Sequence, residues 1–511
     1  MIAPPIRTAR AGSGRLERDI DSPGPDFKAA AGDRARVLPR RNGVPITLGK
    51  KDFSNIRVSS SIAAASVNAG SAKKRPVMGR EIVPKGGPHS QTILVVGGGI
   101  AGITATVEAA EAGYDVILLE RGPALGGRVA QLHRYFPKLC PPTCGLEINF
   151  QRIRNNPRIK LFTMATVAGV SGGKGSYAVT VKTIPRHVNA KCTACGDCAR
   201  ATDMEVPDPF NYGMSKVKAA YLPHEHAFPL RYVIAPEAIG TPEADKIKAA
   251  CKYDAVDLDE TEGTFEIAVG AIIWATGWKP YDAGKIDAYG YDRNPDIITN
   301  MEMERLANEA GPTGGKIVRP SNGAPAKRVA LIQCAGSRDH NYLPYCSGIC
   351  CLGSLKHAAY IRQEYADAEV DIYYIDIRAP GKMDAFYNRV RADSQVHFIK
   401  SKPGAIEDDA DGNPMVCGED TITREIYAKS YDLVVLATGM EPTAAAEYKP
   451  PVSLEMDEYG FIVPKLGDGD GMFAAGVATG PLDVAASVQS ATAAALKAIQ
   501  AVQVGAAQGA A

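Results

Sequence analysis

The 511-residue sequence contains no long uninterrupted hydrophobic run, because its longest apolar stretches are broken by glycine. A helix that crosses a membrane needs about 20 consecutive apolar residues, so we expect no membrane-spanning segment. The chain also lacks a positively charged start followed by an apolar core, which argues against a secretory signal peptide. We therefore expect a chain that folds in the cytoplasm.

A second absence is that of a basic surface over most of the chain. Residues 1–77 carry 15 Lys and Arg against 6 Asp and Glu, whereas the remainder carries 43 against 51. Nucleic-acid binding needs clustered basic side chains. The mildly acidic body therefore excludes nucleic acid as an expected partner.

Residues 1–77 lack both helical and strand periodicity and are rich in Ala, Arg, Ser, Gly and Pro. This composition predicts a disordered extension. Because Met78 opens a natural lead-in to the first strand-like segment, we interpret 1–77 as a mis-assigned start. An organellar transit peptide is the alternative.

A third absence concerns the second half of the chain. Val329–Ile332 is an apolar, strand-like run of the kind that precedes a dinucleotide-binding glycine loop, but no G-x-G-x-x-G follows it. Cysteines follow instead, beginning with Cys334. A free-standing NAD(P)H-dependent disulfide reductase needs this second loop, so its absence argues against that class of enzyme.

One complete glycine motif is present earlier in the chain. The segment TILVVGGGIAG is a strand followed by G-x-G-x-x-G, and after it come a helical segment and the strand YDVILLE. In this arrangement Gly97 allows the tight turn, Gly99 the close approach of a pyrophosphate, and Gly102 the packing of helix on strand. Glu120 ends the second strand, where an acidic residue binds a ribose hydroxyl. The pattern predicts a dinucleotide site.

The segments around this motif favour FAD over NAD. RGPALGGR follows Glu120, and its Gly126-Gly127-Arg128 loop resembles the second phosphate contact of flavoproteins with two dinucleotide-binding domains. Arg121 of the same segment is also predicted to bind the cofactor. The segments AIIWATGWKPYD, which contains Gly277, and LVVLATGMEPTA both consist of an apolar strand, Ala-Thr-Gly and a following proline. This internal similarity indicates two related lobes.

The segment GMFAAGVATGPLDVAASVQSATAAAL resembles the strand, loop and helix that complete the flavin site of those flavoproteins. The resemblance implies that the Gly476 amide approaches the pyrophosphate and that the helix N-terminus near Gln489 faces the isoalloxazine ring. Where the family usually has Asp, this chain has Val477. Asp483 is therefore predicted to take over the contact to the ribityl chain.

Eleven cysteines are present, and eight of them form three tight groups, which is typical of metal or redox ligands. Cys192, Cys195 and Cys198 have the C-x2-C-x2-C spacing that wraps one corner of a [4Fe–4S] cluster. Thr202 occupies the position of the fourth cysteine of the ferredoxin pattern. A zinc knuckle and unmetallated thiols are the alternatives to a cluster. The missing thiolate is expected from KLCPPTCG, which contains Cys140 and Cys144.

A further set of four cysteines, Cys334, Cys346, Cys350 and Cys351, has an unusual spacing. The spacing fits either a cluster or structural cysteines plus a redox disulfide. The stretches IQCAGSRDHNYLPYCSGICC and YYIDIRAPGKMDAFYNRV resemble the heterodisulfide reductase A-subunit family, and the resemblance extends from about Thr92 to Leu496. It implies a [4Fe–4S] cluster in a pseudo-NAD lobe, with the ligands Cys334, Cys346, Cys350 and Cys351. In the rival disulfide reductase, the redox pair would be Cys350 with Cys351 or Cys140 with Cys144.

Two further stretches resemble one type of A subunit more specifically. KLCPPTCGLEINFQRIRNNP and FNYGMSKVKAAYLPHEHAFPLRYVI look most like the A subunit of the quinone-interacting membrane-bound oxidoreductase. That likeness implies a complex with a quinone-reactive membrane subunit, with adenylylsulfate reductase as a partner, and a location at the inner face of the membrane through partner subunits. A soluble heterodisulfide-reductase-like A subunit, of sulfur oxidation or electron bifurcation, is the alternative.

These patterns together predict an α/β fold with two Rossmann-type lobes, thioredoxin-reductase-like, with iron–sulfur insertions. We expect an FAD-binding lobe over residues 92–300 and 430–500, with a ferredoxin-like cysteine loop near 190–200. A pseudo-NAD lobe is expected over 325–430 and a flexible tail over 497–511. The expected cofactors are FAD, one [4Fe–4S] cluster in the pseudo-NAD lobe, and a second cluster at the Cys192 loop.

Overall fold

Runs of consecutive buried apolar residues form the central strands, which is typical of parallel sheets covered on both faces. The first of them, Ile93–Val96, is buried along its whole length. The computed structural model describes residues 89–464 and 469–509, and all of these belong to one compact unit. The predicted disordered extension over 1–77 lies outside the described residues.

The first half of the chain carries one long parallel sheet and a smaller insertion. Its elements are β1 (Ile93–Val96), α1 (Ile100–Glu111), β2 (Val116–Glu120), α2 (Gly127–Ala130), α3 (Thr143–Asn155), β3 (Ile159–Thr163), β4 (Ala165–Gly173), β5 (Ser176–Thr183), α4 (Asp197–Arg200), β6 (Glu205–Pro207), β7 (Lys216–Lys218), β8 (Ala220–Tyr221), β9 (Val233–Ile234), α5 (Pro242–Ala250), β10 (Gly263–Val269), β11 (Ala271–Trp274) and β12 (Trp278–Pro280).

The second half repeats this plan and then returns to the first sheet. Its elements are β13 (Ile297–Thr299), α6 (Asn300–Leu306), β14 (Arg328–Ala335), α7 (Cys350–Glu364), β15 (Glu369–Tyr374), α8 (Asp384–Arg391), β16 (Val396–Lys400), β17 (Ala405–Asp408), β18 (Pro414–Glu419), β19 (Ile426–Ser430), β20 (Leu433–Thr438), β21 (Met440–Pro442), α9 (Thr443–Ala446), β22 (Met472–Ala474) and α10 (Val484–Gly509).

The strand order confirms two related α/β lobes. The first lobe has a sheet in the order β22-β11-β1-β2-β3 with a three-stranded sheet β10-β5-β4. The second has β13-β20-β14-β15-β16 with β17-β18-β19. The long sheets pair in parallel and the short ones antiparallel. Each lobe is therefore a Rossmann-type sheet with an antiparallel flap, as the sequence pattern predicts.

The two Ala-Thr-Gly segments form the passage between the lobes. Their continuations, β12 and β21, pair antiparallel. The Tyr281 N–H donates to the Gly439 carbonyl at 2.9 Å, and the Thr443 N–H donates to the Gly277 carbonyl at 3.1 Å. The similarity in sequence therefore corresponds to a similarity in position, since each segment leaves its own sheet and crosses to the other lobe.

The predicted lobe boundaries need correction. Strands β13 and β20 belong to the second sheet, although the sequence pattern places residues up to 300 and from 430 in the FAD lobe. The physical reason for this boundary is the repeated Ala-Thr-Gly segment. Each Ala-Thr-Gly strand pairs in parallel with the central strand of its own lobe, β11 with β1 and β20 with β14.

The predicted flexible tail over 497–511 is also wrong over most of its length, because α10 continues to Gly509. Alanine is the strongest helix former, and Ala498 and Ala501 are buried in the same core as the alanines of α1. Small side chains on both helices allow close packing. In the part of the chain that the structure describes, no helix has both the length and the apolar character that a membrane crossing requires.

Candidate cofactor cleft and cysteine sites

A cavity of about 470 Å³ opens between the lobes, beyond the carboxyl ends of β1 and β11. Ligands of open α/β sheets bind at this edge. The cavity brings together most of the residues predicted to bind FAD, namely Gly97, Gly99, Glu120, Arg121, Gly127, Arg128, Gly277 and Asp483.

The glycine turn after β1 has no room for a side chain at Gly97 or at Gly102. Gly97 has φ +111°, and a Cβ there would lie 2.2 Å from the carbonyl oxygen of Ala275. A Cβ on Gly102 would lie 1.7 Å from the carbonyl oxygen of Gly97. Gly102 does not line the cavity; it lets α1 pack on the turn, the role that its spacing predicts.

The second glycine loop lies directly against the first. The Gly126 N–H donates to the Gly98 carbonyl at 2.8 Å, and a Cβ on Gly127 would come within 2.8 Å of the Gly99 Cα. Gly99 is the N-cap of α1 and has no side chain to cover the helix end. The two loops therefore form a cradle of backbone at a helix N-terminus, which suits a pyrophosphate.

Glu120 is fixed by the same loops. Its carboxylate accepts the N–H groups of Gly98 and Gly122, each at 2.6 Å. Burial raises the pKa of Glu120, and the two N–H donors oppose this effect. Each carboxylate oxygen retains a lone pair, so the group can still accept from a ribose hydroxyl.

Two guanidinium groups border the cleft. Arg121 donates to Glu447 at 2.6 Å, and Arg128 donates to the Trp278 carbonyl at 3.3 Å, next to Gly277. Thr276, in the same turn, has a buried hydroxyl with no hydrogen-bond partner among the described residues. An unpartnered hydroxyl in a cleft wall fits a polar ligand, since buried polar groups are normally paired.

Of the three residues predicted at the C-terminal segment, Asp483 lines the cavity, while Gly476 and Gln489 do not. The Gly476 N–H donates to the Ser490 hydroxyl at 3.1 Å and so does not face a pyrophosphate. Helix α10 begins at Val484, which places Gln489 in the second turn with an exposed side chain. Asp483 accepts from the Ala486 N–H at 2.7 Å, the role of an N-cap. The helix end that lines the cavity is therefore at Asp483 and Val484.

The second lobe has cysteines where the first has its glycine turn. Cys334 lies in a bulge near the end of β14 with φ +56°, a left-handed conformation that is rare for residues with a side chain. Cys350 and Cys351 open α7, as Ile100 opens α1. The four-cysteine set therefore occupies the strand-to-helix turn that a dinucleotide loop would take.

The four thiols interact with one another. Burial raises the pKa of Cys351 to about 11, and neighbouring Cys334 and Cys346 contribute to the increase. Cys350 is also buried, and its pKa lies well above the ordinary value for the same reasons. The Gly348 N–H donates to the Cys346 sulfur at 3.3 Å. The three buried thiols and Cys346 therefore lie close together in the structure.

The other cysteines predicted as ligands lie in two places. In the Cys192 loop, Ala194 and Gly196 have positive φ, and burial raises the pKa of Cys198 to about 11, with Cys192 and Cys195 adding to the effect. Cys140 and Cys144 are exposed. Cys140 precedes α3 and Cys144 lies in its first turn, and the segment before them contacts the second lobe, where Arg389 donates to the Pro137 carbonyl at 3.1 Å.

Comparison with known proteins agrees with this geometry. The model of the FAD dependent oxidoreductase family matches residues 92–138. The A subunit of the ferredoxin/F420H2-dependent CoB-CoM heterodisulfide reductase of Methanosarcina acetivorans is 37% identical over 447 residues, which are 85% of this chain and 56% of that protein. An iron-sulfur A subunit of the CoB-CoM heterodisulfide reductase of Methanopyrus kandleri is 40% identical over 424 residues, 81% of this chain and 64% of that protein. The chain therefore resembles heterodisulfide reductase A subunits over about four fifths of its own length.

The chain of this A-subunit-like protein thus spans about three fifths of the length of these relatives. Solved structures with a similar chain path include T. acidophilum thioredoxin reductase, with 15% identity, a TM-score of 0.45 and coverage of 80% of this chain and 99% of that one. Lactococcus lactis thioredoxin reductase has 15% identity, a TM-score of 0.44 and coverage of 81% and 100%.

The residues of the A-subunit-like chain also fit an iron–sulfur cluster at the second lobe. Within the described ranges, no three Cys, His, Asp or Glu side chains gather around one point as ligands of a single ion. A [4Fe–4S] cluster makes a different demand, since its four thiolates bind four separate irons. Beside Cys334, both polar atoms of the buried Gln333 side chain and the Ser337 hydroxyl have no partner among the described residues. The Gln333 amide nitrogen and the Ser337 hydroxyl can donate, which suits the sulfurs of a cluster because these accept hydrogen bonds.

A buried charged network closes the other end of the cleft. The Glu304 carboxylate lies 2.7 Å from the Lys356 ammonium and 2.6 Å from His357 Nε2, and it accepts the His133 N–H at 2.9 Å. Burial alone would raise the pKa of Glu304, but Lys356 and His357 hold it well below its ordinary value. The sequence alone did not identify Glu304 as a site residue. Its partners Lys356 and His357 lie about 50 residues away, and no local pattern in α6 indicates them.

We expect the substitution Glu304→Gln to lower the free energy of unfolding by about 3–5 kcal/mol, because it leaves a buried ammonium without its counter-ion. Thermal unfolding followed by circular dichroism measures the change. Asp367→Asn is the matched control, since it breaks the 2.7 Å pair with Lys327 at the surface, where both side chains are largely exposed. Equal effects of the two substitutions would contradict a central role for the buried pair.

Proposed function

We propose that this chain is an FAD- and iron–sulfur-carrying electron-transfer subunit of an oxidoreductase, which exchanges electrons with protein partners and not with NAD(P)H. The observation that supports this most is the position of the four-cysteine set. It replaces a dinucleotide loop at the turn after β14, while the intact glycine cradle remains at the turn after β1.

One helix connects the two sites. Cys350 and Cys351 form the first turn of α7, and Gly353, Lys356 and His357 of the same helix line the cleft. Ile349, directly before the cysteine pair, lines it too. A cluster at the cysteines would therefore lie within a helical turn or two of a flavin in the cleft.

The cofactors explain why such proximity is useful. A bound flavin takes up two electrons and can release them singly, whereas a [4Fe–4S] cluster carries one electron. The chain's part is to hold both groups close and to keep water away from the space between them. His224, which also lines the cleft, stacks on Phe210 at 4.6 Å, and burial lowers its pKa to about 4. It is therefore neutral at pH 7.

The finer assignment rests on sequence resemblance. We propose a complex that includes a quinone-reactive membrane protein and that exchanges electrons with adenylylsulfate reductase at the inner face of the membrane. The soluble heterodisulfide-reductase-like subunit is the second candidate, favoured by the identity to the two methanogen A subunits. Affinity purification from native membranes separates them: a quinone-binding cytochrome co-purifies under the first assignment and is absent under the second.

We expect NADPH or NADH alone to leave the flavin of the purified protein oxidised over minutes, while dithionite bleaches it. The reason is that the second lobe offers cysteines where a nicotinamide dinucleotide would bind. Anaerobic stopped-flow absorbance at the flavin band measures both reactions. Rapid bleaching by NADPH would contradict the proposal and would support a free-standing disulfide reductase.

A further inference from the structure

The Cys192 loop belongs to a small module with its own core. Cys198 is buried in this core, together with Val188, Ala219 and Ile247, and both Cys192 and Cys251 pack against it. Cys251 follows the last residue of α5, and α4 of the cysteine loop packs on α5. Two cysteines of the loop and one distant in sequence therefore share one core.

The residues beside Cys251 contact the residues beside the loop cysteines. The Lys191 ammonium, next to Cys192, lies 2.7 Å from the Asp254 carboxylate. The Lys252 ammonium, next to Cys251, lies 3.4 Å from the Asp197 carboxylate, which is next to Cys198. Exposed ion pairs such as these add little stability. They do show that the segment after α5 lies beside both ends of the cysteine loop, at Lys191 and at Asp197.

Main-chain bonds hold the two segments in this register. The Asn189 N–H donates to the Ala255 carbonyl at 2.7 Å, and the Asp257 N–H donates to the His187 carbonyl at 3.0 Å. Val188 and Val256 form an antiparallel bridge. The Cys251 sulfur accepts the Ala255 N–H at 3.3 Å, which fixes its side chain within the same turn.

The other candidate positions for the fourth cluster ligand are less favourable. Thr202 is buried with its hydroxyl donating to Glu243 at 2.6 Å. In two-cluster ferredoxins, the fourth cysteine of a C-x2-C-x2-C-x3-C run binds the other cluster. Threonine at 202 therefore removes a ligand from a different site, and the first cluster takes its fourth thiolate from elsewhere in the chain. Cys140 and Cys144, which the sequence favours, are both exposed at the start of α3 and outside the core of this module.

We propose that Cys251 is the fourth ligand of a [4Fe–4S] cluster whose other ligands are Cys192, Cys195 and Cys198. The module then holds a single cluster with four thiolates from one chain. This assignment rests on the proposed iron–sulfur function and specifies which residue completes its second cluster. Binding releases the thiol protons, because the thiolates are the ligands.

The test compares iron and acid-labile sulfide in full-length wild type, Cys251→Ser and Cys417→Ser, all purified anaerobically. Cys417 is a similarly half-buried cysteine on β18, outside both cysteine sites. We expect about eight irons in wild type and in the Cys417 variant, and about four, or a three-iron electron paramagnetic resonance signal after oxidation, in the Cys251 variant. Flavin content stays unchanged, which shows that the variant is folded.

Unchanged iron and spectra in Cys251→Ser would overturn the assignment, while a wild type without iron would refute the proposed function and with it this site. Adding Thr202→Cys to Cys251→Ser should not restore the iron; restoration would also overturn it. If the variant fails to fold, alkylation of wild type decides. Cys251 should be protected together with the loop cysteines until a chelator removes iron, and alkylation of Cys251 before iron removal would refute the assignment.

Discussion

Replacing Cys346 with alanine is expected to remove about four irons per chain while FAD stays bound. Cys346 is the half-buried member of the four-cysteine set, on the loop before α7, whereas Cys334, Cys350 and Cys351 are buried. Its substitution therefore removes a thiolate with little change in packing. The cleft glycines lie in the other lobe, so flavin binding has no direct dependence on this side chain.

Iron and sulfide assays, together with the flavin spectrum, measure the effect of Cys346→Ala. A second readout is electron transfer, because loss of the cluster should stop one-electron exit from reduced flavin to an artificial acceptor protein. Cys417→Ala is the matched control and should keep its full iron content. Full iron in Cys346→Ala, or loss of flavin together with iron, would contradict separate sites in the two lobes.

Replacing Gly97 with alanine is expected to abolish FAD binding and to destabilise the first lobe. A side chain at φ +111° costs about 1–2 kcal/mol in backbone strain. In addition, the new Cβ would lie 2.2 Å from the Ala275 carbonyl oxygen, so the turn between β1 and α1 must move. The backbone cradle that Gly99 and Gly127 form would move with it.

Gly113→Ala is the matched control for Gly97→Ala. Gly113 has φ +101°, but nothing lies within 4 Å of a Cβ built there. The control therefore carries the strain without the collision, and it should keep FAD at the wild-type ratio. Flavin released by heat denaturation gives the ratio for each variant. Full flavin content in Gly97→Ala would show that the cofactor binds elsewhere.

The features that could be predicted from sequence depend on local geometry. Gly97 and Gly102 could be assigned roles because a turn and a helix contact within six residues determine them. The Ala-Thr-Gly repeat predicted the two lobes because each copy is a short local pattern and internal similarity indicates a repeated structure. The repeat also indicated the correct lobe boundary, because the strand of the second copy pairs within the second lobe.

The features that could not be predicted depend on distant contacts. Glu304 meets Lys356 and His357 across about 50 residues, and Cys251 lies beside the Cys192 loop across a similar separation in sequence. The prediction that the last helix begins near Gln489 is wrong for a different reason. Asp483 is an N-cap, a local signal that could have placed the helix start at Val484.

The most direct test of the proposed function is the content of FAD, iron and acid-labile sulfide in the full-length protein purified without oxygen. We predict about one FAD with about eight irons and eight sulfides per chain, from one cluster in the second lobe and one at the Cys192 loop. A protein that contains FAD but neither iron nor sulfide would contradict the central claim that cysteines have replaced the dinucleotide loop in order to hold a cluster.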